Sequence, residues 1–239
     1  MLASTWAEDA VQAYLPMNAS LGGGLALLCK AVGGPLDEAS ARFHVVGIAM
    51  ALGVLHSLNI FHRNINLENI QLSLKGYPIL TDLSCSKCFP LDGKPGTTLR
   101  AGTLLGMPEY ASPEMVKGQG YGLASDWWAL GVLLHRLLGG VLPFVAPGVQ
   151  EVYNRISFAP APDLTSCSLD AREVVQKLLS REPNRRLQKF EELQKRYWFE
   201  VIDWEAYEAG SLQSPTPMSL EMQAPPESKG YVEFNVAAG

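Results

Sequence analysis

A mainly α fold of the α+β class, a helical bundle carrying one small β-hairpin, is what this 239-residue chain predicts. Three observations carry that expectation. A long apolar stretch runs from Ala39 to Leu58 without the alternation of a strand, and helical patterns recur at 124–138, 171–179 and 190–197. Between them, Ile70, Leu72 and Leu74 alternate with Gln71, Ser73 and Lys75, a turn signal follows at Lys75-Gly76-Tyr77-Pro78, and Ile79-Leu80-Thr81 returns as a second strand. Residues 82–120 are rich in Gly, Pro, Ser and Thr and read as one long irregular segment, a length that is uncommon unless the segment is functional or disordered.

Taken in order, residues 1–16 form a stub with a short strand or turn ending near Pro16. Gly22-Gly23-Gly24 breaks the chain before a short helix at Leu25–Ala31. Asp37 and Glu38 then place negative charge at the start of the long helix, where the backbone dipole favours it. That helix is apolar on most faces, so burial all round is expected. Residues 59–69 are a loop. Residues 206–239 are a Ser- and Pro-rich tail, expected to lie extended.

Composition narrows the function classes. The chain is 47% hydrophobic and 18% charged, a globular balance. A net charge of −5 argues against a nucleic-acid partner, because phosphate binding needs concentrated positive charge. No secretory signal is visible in residues 1–10, which carry Glu8 and Asp9. The most apolar stretches, 43–61 and 130–144, are interrupted by polar residues and fall short of the ~18 apolar residues a membrane span needs. Both are expected as buried helices, with no membrane partner. Four scattered cysteines form no disulfide framework, and Cys85-x-x-Cys88 lacks a second pair of ligands for zinc. Reduced thiols and a cytoplasmic location follow as expectations.

The motifs are more specific. His62-Arg63-Asn64-Ile65-Asn66-Leu67-Glu68-Asn69 resembles the H-R-D-x-K-x-x-N catalytic loop of eukaryotic protein kinases. Asp82-Leu83-Ser84 stands where that family has D-F-G. Met107-Pro108-Glu109-Tyr110-Ala111-Ser112-Pro113-Glu114 resembles the segment ending in A-P-E, and Asp126-Trp127-Trp128 the start of the family's central helix. Trp198-Phe199 and Asp203-Trp204 resemble the lobe end of the AGC, cyclic-nucleotide-dependent branch of the Ser/Thr kinases. The motifs keep the family's order over residues 15–205. They imply a protein-kinase-like C-terminal lobe at 17–205, with the N-terminal lobe largely absent from this chain.

The resemblance also implies roles. Glu114 and Arg186 would form a buried ion pair, and Asp126 would hold the loop backbone near His62 and Arg63. Asn69 and Asp82 fall at the two metal-ligand positions. Asn64 stands at the catalytic Asp, Asn66 at the catalytic Lys, and Met107 at the Thr that bridges them. A carboxamide has no basic lone pair near neutral pH, and general-base catalysis contributes about 10²–10⁴ in rate. Gln71 occupies the apolar floor beneath adenine. Thr103 matches the activation-loop phosphorylation site, with Arg63 and Lys87 as its phosphate partners. Glu68 and Glu109 match acids that read basic substrates, whereas Gly24 and Arg136 fall where further acids are expected, so Arg136 would repel a basic peptide.

Together these losses point to a pseudokinase or severely impaired Ser/Thr kinase homologue that acts through a protein partner. No cofactor is expected, except Mg-ATP if a vestigial site survives or an N-lobe is supplied. The alternatives are the C-terminal part of an ATP-dependent Ser/Thr kinase, and a remnant lobe with an unrelated structural role.

Overall fold

The molecule is organised around one helix, Ala124–Gly139 (α4), in which every residue from Ala124 to Leu138 except Arg136 is buried. In this computed structural model, residues 22–88, 106–120 and 122–216 are described, together with two short N-terminal strands. Those strands, Ala7–Glu8 (β1) and Ala13–Tyr14 (β2), pair antiparallel. α4 can sit this deep because its sequence is apolar nearly all round. It packs on Glu38–Ser57 (α2) and on Leu169–Leu178 (α6). Gly131 permits the second contact, since a Cβ there would lie 2.7 Å from the Leu178 Cβ.

α2 opens with the acidic turn its sequence predicts: the Asp37 carboxylate caps the helix by accepting from the Ser40 N–H at 2.9 Å. Its burial corrects the expectation of a helix covered all round. Phe43, Val45, Val46, Ile48, Ala49 and Leu52 are buried, but Val54 is 61% exposed, so the last turns keep one face in solvent. By length and composition alone α2 is apolar enough to cross a membrane, contrary to the sequence reading. Here, however, half of it lies inside the lobe, packed on α4 and the hairpin.

The hairpin forms where the alternation predicts it, from Ile70–Leu72 (β4) and Pro78–Leu80 (β5), with Ile70 opposite Leu80. Ile70 and Leu72 face the core, and Gln71 faces the other way. A second antiparallel ribbon joins Ile60–Phe61 (β3) to Lys87–Cys88 (β6), so the two ends of the functional loops are tied side by side. Leu25–Val32 (α1) packs on β4, and Pro113–Val116 (α3) packs on the helix at Val149–Phe158.

Three helices lack an expectation in the sequence reading: α3, which falls inside the segment read as irregular, Val149–Phe158 (α5) and Trp204–Glu208 (α8). The pattern at 190–197 resolves into a shorter helix, Phe190–Gln194 (α7), and a 3-10 turn at Tyr197–Phe199. Packing continues past residue 205. The buried Tyr207 hydroxyl donates to the Phe43 carbonyl at 2.8 Å, and Tyr77 donates to the Leu212 carbonyl at 2.8 Å. The chain as far as Leu212 therefore lies back against α2 and the hairpin. Residues 217–239 lie outside the described residues.

Candidate active site and its anchors

The loop between β3 and β4 is held from below by α4. Asp126, in the first turn of that helix and 2% exposed, accepts from the backbone N–H of His62 at 3.0 Å and of Arg63 at 2.8 Å. The Nε2 of His56 lies 2.9 Å from the same carboxylate, and the Trp127 indole N–H points at His56 Nδ1 at 3.2 Å. An indole N–H only donates, so Nδ1 accepts and Nε2 carries the proton given to Asp126. His62, fully buried, points its Nε2 at the Thr81 carbonyl at 3.0 Å, which fixes its tautomer in the same way. Burial pushes the His62 pKa below its ordinary value despite the nearby Asp126. Sequence reasoning found Asp126, His62 and Arg63. It missed His56, whose only signal is a lone histidine six positions before His62.

A second anchor closes the far side. Arg186 is buried and donates to Glu114 through both terminal guanidinium nitrogens, at 2.7 and 3.0 Å. Its remaining donors reach the carbonyls of Ala124 and Ser180, and its guanidinium carbon sits 5.2 Å from the Trp128 ring centre. Ser125 and Ser112 extend the chain of hydrogen bonds to Glu114. Burial raises the Glu114 pKa, but the hydrogen bond and charge of Arg186 outweigh it and hold the carboxyl below the usual range. A buried pair is tolerable only when satisfied to this degree.

Between these anchors lies the altered chemistry. Asn66 spends its side-chain oxygen as a cap, accepting from the N–H of Glu68 at 2.9 Å and of Asn69 at 3.2 Å. Its Nδ2 must therefore be the donor, and it reaches Asn64 Oδ1 at 2.9 Å. That leaves Asn64 Nδ2 to donate to Asp82 Oδ2 at 3.1 Å. The other Asp82 oxygen accepts from the Ser84 N–H at 3.2 Å and from the Ser84 hydroxyl. The Ser84 hydrogen bond dominates in holding the Asp82 carboxyl below its ordinary pKa. Asn69 turns its Nδ2 to the Asn64 carbonyl at 2.9 Å. Each orientation follows from a group that can only donate or only accept, so the network has one consistent assignment.

The four positions Asn64, Asn66, Asn69 and Asp82 are thus brought together. The base position offers an N–H toward Asp82 rather than a lone pair, and the lysine position is a cap. Mg²⁺ demands near-octahedral oxygen ligands. Asp82 Oδ1 accepts twice from Ser84 and Oδ2 once from Asn64, so one carboxylate lone pair, on Oδ2, remains to face a cation; as arranged, the loop offers Mg²⁺ few protein ligands. Met107 is 45% exposed and stands outside this network. Gly106, with φ +85°, lets the chain pass so near that a Cβ there would lie 2.9 Å from Asn64 Oδ1. Two non-glycine residues in the site also have left-handed backbone, Arg63 at φ 64° and Asp82 at φ 60°.

The remaining candidates are dispersed. Gln71 lies opposite Gly24 across an isolated bridge, its amide nitrogen 3.6 Å from where a Gly24 Cβ would be. Arg63 donates through Nε to the Cys85 carbonyl, and Lys87 sits opposite Phe61 on the β3–β6 ribbon. Thr103 lies outside the described residues. No disulfide joins the four cysteines, and no group of three or more His, Cys, Asp or Glu suited to a metal occurs among the described residues.

A lobe in which the A-P-E glutamate binds a distant arginine, and the first acid of the central helix holds the catalytic loop, is built as a protein kinase C-terminal lobe. The chain matches the protein kinase domain family over residues 2–199 and belongs to that family. It is 34% identical over 209 residues to protein kinase 3 of Dictyostelium discoideum, covering 82% of this chain and 22% of that protein. It is 35% identical over 168 residues to the RAC family serine/threonine-protein kinase homolog of the same organism, covering 70% of this chain and 37% of that protein. Serine/threonine-protein kinase Sgk1 of Danio rerio is 37% identical over 181 residues, 74% of this chain and 41% of that protein. These relatives align with the resemblance to the AGC branch. The chain spans less than half the length of each of them.

Proposed function

We propose that this chain is a pseudokinase, a protein-kinase-like lobe that acts by binding a protein partner in the cytoplasm and does not transfer phosphate by the usual route. The observation that carries this reading is the Asn64 amide donating to Asp82 Oδ2. In phosphoryl transfer the catalytic-loop carboxylate accepts the substrate hydroxyl proton, and the neighbouring Asp holds Mg²⁺. Here the first group cannot accept that proton and also occupies the second. Loss of the base, the lysine and the bridging threonine together removes one cooperating unit, and such losses are not additive. The retained anchors support a role that needs the folded surface.

A second reading, Ser/Thr phosphotransfer with Mg-ATP, is favoured by the retention of Asn69 and Asp82 and by the kinases this chain resembles. A thermal melt of the purified chain with and without Mg-ATP separates the two. The pseudokinase reading expects one cooperative transition that does not move. A rise in Tm with Mg-ATP, accompanied by phosphate transfer to a generic basic peptide, would overturn it.

A further inference from the structure

Arg136 is the one residue of α4 between Ala124 and Leu138 that escapes burial. Its side chain emerges into an open pocket between α1 and α4, lined also by Cys29, Lys30, Gly33, Gly34 and Glu68. Among the described residues the Arg136 guanidinium takes no hydrogen bond and no ion pair. That sets it apart from Arg155, Arg185 and Arg186, each of which has an acidic partner within 3 Å. Its charge is felt nearby: burial raises the pKa of Cys29 and of Tyr110, and Arg136 pulls against both. Lys30, exposed in the last turn of α1, is a second cation on the same wall. Among the described residues Glu68 is the only acid lining the pocket.

We propose that this pocket docks an acidic peptide segment of the partner protein, with one Asp or Glu side chain of that segment seated on Arg136 and Lys30. This deepens the binding-module reading and rests on it. A planar guanidinium takes a carboxylate through two parallel hydrogen bonds, and a half-buried cation without a counter-ion gains most from one. Two cations against Glu68 leave roughly one net positive charge, which matches a single carboxylate better than a doubly charged phosphate. The chain as a whole is negative, at −5, and repels an acidic segment at long range. Screening over about 8 Å at physiological salt leaves the local pair to decide.

Fluorescence anisotropy on the full chain tests this with three short labelled peptides that share one serine: one alternating Glu with Ala, one with Lys in place of Glu, and one with phosphoserine in place of Glu. The glutamate peptide is expected to bind at least about tenfold more tightly than the lysine peptide, and to weaken as salt rises from about 0.05 to about 0.5 M. Arg136→Glu should weaken it about tenfold or more with a melt that stays cooperative, since the Arg136 guanidinium makes no hydrogen bond or ion pair among the described residues. Arg136→Lys, which keeps charge but loses the fork, should cost less. Equal or tighter binding of the lysine peptide, or unaltered affinity in Arg136→Glu, would overturn the proposal. Tighter binding of the phosphoserine peptide would overturn the carboxylate assignment. Adding Mg-ATP keeps the two levels apart. Phosphate transfer to the glutamate peptide's serine would sink the pseudokinase reading and support the pocket. Binding without acid preference and without transfer would sink the pocket and leave that reading standing.

Discussion

The Glu114–Arg186 anchor and the Asn64–Asp82 loop lie in the same lobe, yet the sequence has treated them oppositely. In the anchor every charged group has kept the partner the family's architecture requires, with both oxygens of Glu114 engaged by one guanidinium. In the loop, charged groups have become amides, and the amides have closed on one another and on Asp82. Buried charges cannot be dropped singly without cost, whereas catalytic charges facing a cleft can be, provided something takes up their hydrogen bonds. On the pseudokinase reading proposed above, this difference is what a lobe kept for its surface would show.

The comparison can be broken first at the anchor. Arg186→Ala should cost about 3–5 kcal/mol by leaving Glu114 buried and unpaired. For a lobe of this size that is about 2–4 °C in Tm per kcal/mol, read by calorimetry. An unchanged melt would mean the pair contributes nothing.

Next in size is a buried polar group that belongs to neither region. His44 on α2 is fully buried, neither ring nitrogen has a hydrogen-bond partner among the described residues, and burial lowers its pKa to about 4. The unfolded chain therefore takes up a proton below about pH 6.5 that the folded chain refuses until about pH 4. Stability falls as pH drops through that window, by about 3 kcal/mol in all. His62 shifts in the same direction. Glu114, with its depressed pKa, acts lower: its contribution is present above the unfolded carboxyl value and lost as pH falls below it. Denaturant midpoints measured from pH 7 to pH 4 should decline less steeply in His44→Leu than in the parent chain, and parallel curves would rule His44 out.

The loop gives the smaller effects. Asn64→Asp replaces a donor by a like charge beside Asp82, so about 1–2 kcal/mol should be lost at neutral pH and recovered when millimolar Mg²⁺ is added. It should gain no transfer to a basic peptide, because Asn66 and Met107 remain. Activity in that single variant would show that one amide alone had silenced the site. Ser84→Ala should cost about 0.5–1.5 kcal/mol, and the Asp82 pKa should rise toward its ordinary value, as read by carboxyl titration in NMR.

Much of the fold was legible because it rests on periodicity. The hairpin at 70–80 and the buried helix at 124–139 declare themselves through alternation and through continuous apolar character. α5 was missed because its buried residues, Val152 and Ile156, are spread thinly along a polar helix. The exposed end of α2 was misjudged because Val54 and Leu58 read as core while lying in solvent. In the site, the motif spacing placed Asp126, Glu114 and Arg186 in the contacts they make. It did not reveal that Asn66 caps a turn or that Ser84 serves Asp82. Those roles depend on which atom of a side chain faces which neighbour, and sequence carries no trace of that.

Arg63 and Asp82 hold left-handed backbone that an L-residue adopts only under constraint, at about 1–2 kcal/mol each. The constraint on Arg63 comes from Asp126, which is 63 positions away in the chain. The contour of the catalytic loop is therefore not a property of residues 62–69 as a peptide; cut free, that segment would relax to another shape. Whatever recognises this loop in the folded lobe recognises a conformational epitope, and a synthetic fragment would fail to imitate or to compete with it.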